Sequence, residues 1–198
     1  MLQIFGIVSA MLTIICLVPY VIDIFKLKTK PERASWLIWS VLGFIAFFSQ
    51  LAKGATDSLW LTGAQTFVVL VVFLLSLKYG VGGLMKRDII ALIVAGMGII
   101  LWLLTKEAAV ALFIVIAVDF AGSVLTMIKS YEDPGSETLI TWVLSGTSGV
   151  FGALSVGGWN LILLSYPIYI WLINYFIAGA VILGKRKKIN LQKVKTKL

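Results

Sequence analysis

Long apolar runs, broken at intervals by short packets of charge, make up the pattern of this chain. Each run is long enough to cross a hydrocarbon core of about 30 Å as a helix. Alternating segments of about ten residues, the mark of a transmembrane barrel, do not appear. The pattern predicts an all-α integral membrane protein with seven transmembrane helices, at residues 2–24, 35–53, 58–79, 89–105, 108–129, 138–157 and 159–183. The fourth span is the shortest and meets the fifth across Lys106-Glu107. The sixth is the least hydrophobic, with Ser145, Gly146, Thr147, Ser148, Gly149 and Gly152 in its middle. The first span lacks a basic stretch before it and a small-residue cleavage site, so no signal peptide is expected there.

Composition agrees with the pattern. Of 198 residues, 60% are hydrophobic and only 13% charged, against about 25% charged in a soluble domain. Charge then sets orientation, because Lys and Arg in short loops stay cytoplasmic. With seven spans, the loops after the first, third and fifth helices share a side with the C-terminal tail. Of the 17 Lys and Arg, only Lys53 and Lys106 fall on the other side. The N-terminus is therefore expected outside and the C-terminus inside. The net charge of +8 follows from orientation, and nucleic-acid binding need not be invoked. The basic tail 184–198 is expected to lie on anionic lipid headgroups. Cys16 is the sole cysteine, so an intramolecular disulfide is impossible.

The charged packet "KLKTKPERASWLIW" has a counterpart in "MIKSYEDPGSETLITW". Lys26 and Pro31 correspond to Lys129 and Pro134. Past a short insertion, Ser35-Trp36 correspond to Thr141-Trp142, Gly43 to Gly149 and Ala46 to Gly152. Both halves read as helix, charged loop with Lys and Pro, a small hydroxyl residue and Trp opening a glycine-bearing helix, then a third helix. The predicted organisation is a three-helix repeat over 1–79, a linker helix within 80–107 and a second repeat over 108–183. One helix between the units makes the repeat parallel, about an axis along the membrane normal.

On these residues the chain resembles the SWEET, PQ-loop and PnuC-type transporter superfamily over nearly its whole length. Pro19-Tyr20 stands where those families place a Pro-Gln pair, and Gly122-Ser123 stands at the corresponding place in the second unit. The string "TKPERASWLIW" is similar to one in a bacterial branch of membrane proteins, which implies a bacterial cytoplasmic membrane. The resemblance implies a solute site near mid-membrane between two units that rock to alternate access. Pro19, Gly122 and Pro167 are the hinge candidates, since proline in a span removes a backbone hydrogen bond.

Polar side chains in hydrocarbon are costly and usually face a bundle interior. Gln65 in the third span, and Tyr166, Tyr169 and Asn174 in the seventh, lie at such depth. In the resembled families those two spans supply polar pocket groups. Trp39, one turn deeper than Trp36, is the candidate for stacking on a flat solute. Asp119 is the sharpest signal. It lies near the middle of its span with no cation within eight residues on either side. A lone carboxylate there is expected to be neutral until water or solute reaches it, which is a means of coupling a proton to movement.

The expected function is therefore a transporter or facilitator for a small polar solute such as a sugar, nucleoside, vitamin or amino acid. The alternative is a membrane receptor or assembly subunit on the same fold. The chain has no histidine and no clustered carboxylates within the membrane, so enzymatic chemistry is not expected, nor is a metal or other cofactor.

Overall fold

The structure, a computed structural model, describes residues 1–28, 31, 33–80, 86, 89–90, 93, 96–97, 100, 104, 107–135 and 137–195. Six continuous helices carry almost all of them: α1 Leu2–Phe25, α2 Arg33–Ala52, α3 Leu59–Tyr79, α4 Ala108–Glu132, α5 Leu139–Leu154 and α6 Leu161–Lys195. The described residues include no strand. The linker helix expected within 80–107 lies for the most part outside the described residues, and the scattered positions from Lys86 to Leu104 are helical.

Polarity runs opposite to that of a soluble protein. Ile4, Met11, Ile15, Phe113, Phe120 and Phe176 are exposed, while Ser9, Thr13, Gln50, Thr62, Ser148 and Asn174 are buried. In water such a surface would be a severe aggregation hazard; in a bilayer it is the lipid contact. Among the described residues, α1, α3 and the stretch Leu161–Asn190 of α6 are long and apolar enough to cross a membrane. Trp36–Ala52, Ala109–Phe120 and Leu139–Leu154 form shorter apolar helices. These features fit a membrane protein.

Contacts define a closed ring. Within the first half α3 packs on both α1 and α2, and within the second α6 packs on both α4 and α5. Across the halves α1 packs on α5 and α2 on α4, with lesser contacts of α3 with α5 and of α2 with α6. Exchanging α1, α2, α3 for α4, α5, α6 turns this set of contacts into itself.

The two cross-half seams differ in chemistry. Between α2 and α4 the packing is apolar, with Ile38, Leu42, Ile45 and Ala46 in one cluster with Ala111, Leu112 and Val115. The α1–α5 seam is small and polar. Ser9 Oγ donates to the Ser148 carbonyl at 2.7 Å, and Thr141 Oγ1 donates to the Cys16 carbonyl at 3.5 Å. Glycine permits the close crossings within each half. A Cβ on Gly43 would sit 3.1 Å from Thr66 Oγ1 of α3, and one on Gly149 would sit 2.5 Å from the backbone nitrogen of Trp171 in α6.

The charged packet does local work as well. Arg33 donates from Nε to the Ser76 carbonyl and from Nη2 to the Gly80 carbonyl, both at 3.1 Å. Its guanidinium thus caps the C-terminal end of α3, where carbonyls lack helical partners and a cation suits the dipole. Just after α1, Leu27 adopts the left-handed region with φ 57°, a position glycine fills without cost. Leu27→Gly should therefore raise thermal stability in detergent, by up to about 1 kcal/mol.

The C-terminal residues continue the last helix beyond the span expected at 159–183. Helix α6 runs on through Lys195, for roughly 52 Å at 1.5 Å per residue, well past a hydrocarbon core of about 30 Å. It docks on the end of α4: Gly184 crosses close to the Tyr131 and Ser130 carbonyls, Lys187 lies 4.6 Å over the Tyr131 ring, and Lys188 Nζ meets Asp133 Oδ1 at 2.9 Å. At the opposite end of the ring, Lys53 Nζ pairs with Glu107 Oε2 at 2.8 Å. The hydrogen bond and charge of Lys53 hold the Glu107 carboxyl below its usual range. Any stability from this exposed pair is present at neutral pH and lost as pH falls through the lowered value.

Candidate functional site

Asp119 lies about halfway along α4, and Ser123 follows it by four residues, so the two side chains share one helix face. Ser123 Oγ donates to Asp119 Oδ2 at 3.3 Å. Tyr169 reaches across from α6 and donates from its hydroxyl to the same oxygen. The Ser123 and Tyr169 hydroxyls are themselves 3.5 Å apart. Three polar groups from two helices thus close a small triangle along a seam whose other residues are mostly apolar.

Aromatic rings flank this triangle. Tyr166, one turn before Tyr169, is buried in the cluster that joins α2, α4 and α6, and Trp39 and Tyr169 pack on its margin. Trp39 meets Trp36 edge-to-face at 5.0 Å, and Trp36 in turn lies 5.3 Å from Tyr20 of α1. A line of rings therefore runs from the C-terminal part of α1 into α2, where Trp39 packs on the same cluster as Tyr169.

The site residues expected from sequence fall into separate places. Asp119, Tyr166, Tyr169 and Trp39 come together around the α2–α4–α6 cluster. Gln65 is elsewhere: its Nε2 donates to Ser145 Oγ of α5 at 3.3 Å. Asn174 is buried and donates to the Ile170 carbonyl of its own helix at 2.7 Å, which explains how an amide is tolerated there. Of the hinge candidates, Pro19 and Pro167 sit inside α1 and α6, and α4 runs through Gly122 without a break. Pro167 is fully buried, and its carbonyl lies against Gly149.

Sequence reading missed the part Ser123 plays, although its spacing of four from Asp119 was a usable signal. Trp36 packs between Tyr20 and Trp39, tilted to the one and edge-to-face with the other, and Trp60 and Trp159 are exposed.

Away from this chemistry, an open apolar groove of about 570 Å³ lies on α1 and α3, lined by Ala10, Ile14, Phe47, Leu59, Trp60 and Gly63 among others. None of the polar candidates lines it. Among the described residues no three His, Cys, Asp or Glu gather in a way that could hold a metal ion. Compared with known proteins, the chain matches no family model, no curated protein and no solved structure.

Proposed function

We propose that this chain is a transporter or facilitator for a small polar solute, built as two parallel three-helix units joined by a linker helix. In this reading seven helices cross a bacterial cytoplasmic membrane, with the N-terminus outside and the C-terminus in the cytoplasm. The packing of the six described helices supports the repeat, because every main contact has its counterpart when the halves are exchanged. The observation that carries the function is the Asp119 cluster. A carboxylate at mid-helix, clamped by hydroxyls from α4 and α6, is expensive in a bilayer and has no part in closing the fold that an apolar residue could not fill. Its helix packs on α2 of the other unit, so relative motion of the units would alter the surroundings of α4.

The test is uptake by the purified chain in proteoliposomes, screened against sugars, nucleosides, vitamins and amino acids. At least one solute should accumulate above protein-free vesicles. Failure across the panel, with correctly inserted protein, would reject transport. A second reading, a receptor or assembly subunit, draws support from the basic helical extension of α6, where Lys185 and Arg186 are exposed. That reading requires a cytosolic protein retained by the intact chain and lost when 185–198 is removed.

A further inference from the structure

The Asp119 cluster narrows the chemistry of the solute, on the footing of the transport reading above. Both hydroxyls converge on one carboxylate oxygen, Oδ2. The other oxygen, Oδ1, accepts no hydrogen bond among the described residues. The clamp therefore fixes the carboxylate in place and leaves one acceptor available.

Charge balance around it is one-sided. Among the described helices, those packed on α4 are α6 and α2. From α6 the titratable groups facing Asp119 are Tyr166 and Tyr169. From α2 the packed side chains, Ile38, Leu42 and Ile45, are uncharged, and the Arg33 guanidinium is engaged at the end of α3. On α4 itself the nearest ionisable residues in sequence are Lys129 and Tyr131. An isolated carboxylate at this depth must be neutralised, and since among the described residues no cationic side chain is bonded to Asp119, the neutralising species is a proton or a ligand. Tyr166 lies in the core cluster against which Trp39 and Tyr169 pack, and aromatic rings of this kind attract a cation, more strongly where water is excluded.

We propose that the solute is a small organic cation with an N–H donor, an amine or guanidinium, bound at Asp119 Oδ1 and exchanged for the proton that Asp119 otherwise carries. The exchange balances. The proton leaves Asp119 for the water on the side from which the cation enters, and the cation's charge replaces it on the carboxylate. On the other side the cation departs and a proton returns. One monovalent cation crosses against one proton.

The experiment uses the full chain in proteoliposomes loaded acid inside with a trapped pH-sensitive dye. Methylguanidinium and guanidinium are the cationic probes, with urea, glucose and adenosine as neutral ones. External methylguanidinium or guanidinium should make the lumen more alkaline faster than in protein-free vesicles, and the neutral probes should not. Asp119→Asn should reduce this proton release at least about tenfold, the scale of losing a charge-assisted hydrogen bond. Asp119→Glu should retain part of it. Tyr169→Phe, which loosens the clamp, should raise the half-saturating methylguanidinium concentration more than it lowers the maximal rate. If Asp119→Asn cannot be recovered folded, the wild-type contrast between cations and neutral probes decides. Uptake of glucose or adenosine without either cation overturns the cation assignment and leaves transport standing. Cation uptake without proton release, or undiminished exchange in a folded Asp119→Asn protein, overturns it as well. If no probe and no solute of the wider panel moves, the transport reading falls and this inference falls with it.

Discussion

Gly149→Ala should be among the most damaging single substitutions in this protein, lowering stability by about 3 kcal/mol. The added Cβ would stand 2.5 Å from the Trp171 nitrogen, 2.8 Å from the Pro167 carbonyl oxygen and 2.9 Å from the Trp171 Cα. All three are backbone atoms of α6, so no side-chain rotation can relieve the clash. The whole of α5 or α6 must shift, and that shift spreads to α1, which packs on α5. Neighbouring glycines supply the controls. At Gly146 the Cβ would meet the Tyr175 ring at 2.3 Å, and that ring is exposed and can turn away. Gly63 has only the Phe47 ring at 3.4 Å, and Gly179 has nothing within 4 Å. Gly179→Ala should thus stabilise the protein by up to about 1 kcal/mol, through helix propensity alone. Thermal unfolding in detergent should rank Gly179→Ala above wild type, Gly146→Ala below it and Gly149→Ala lowest. If Gly149→Ala melts with the wild type, the α5–α6 crossing is not as close as described.

Much of this arrangement could be read from residue order, for physical reasons that differ from element to element. Helices α1, α3 and α4 begin and end within a few residues of expectation, because charge marks their ends and hydrocarbon length sets their span. The run of α6 through Lys195 was not legible. A string of cations reads as a solvated tail, yet Lys and Arg are good helix formers, and the docking of Gly184 on α4 depends on tertiary contact. Asp119 stood out because a charge within an apolar run needs no alignment to notice. Tyr169 was legible as a candidate but its pairing with Asp119 was not, since a sequence lists polar residues by depth and leaves open which helices touch. Gln65 and Tyr166 lie at similar depth for that reason and still belong to different clusters. Adjacency, here α4 with α6 and α3 with α5, is what separates them.

A reporter fused after Leu198 and one inserted between Lys53 and Asp57 should read opposite sides of the membrane, the first cytoplasmic and the second external. The effect is all-or-none and discriminates among span counts. If all six described helices cross and the 80–107 segment does not, an even number of crossings places the two reporters on the same side. If only the three helices with sufficient length and hydropathy cross, the Lys53–Asp57 turn and the C-terminus again share a side, because only α3 and α6 cross between them. Only the seven-span arrangement, with the linker helix crossing between α3 and α4, separates them. It is also the arrangement that gathers all cations except Lys53 and Lys106 on one face, in keeping with retention of Lys and Arg in cytoplasmic loops. The Lys53–Glu107 pair agrees with it, since the α2–α3 turn and the start of α4 must then emerge at one surface. Reporters on one side would remove the linker from the membrane and make the repeat inverted, and an exchange of a cation for a proton between two like-oriented units would have to be abandoned.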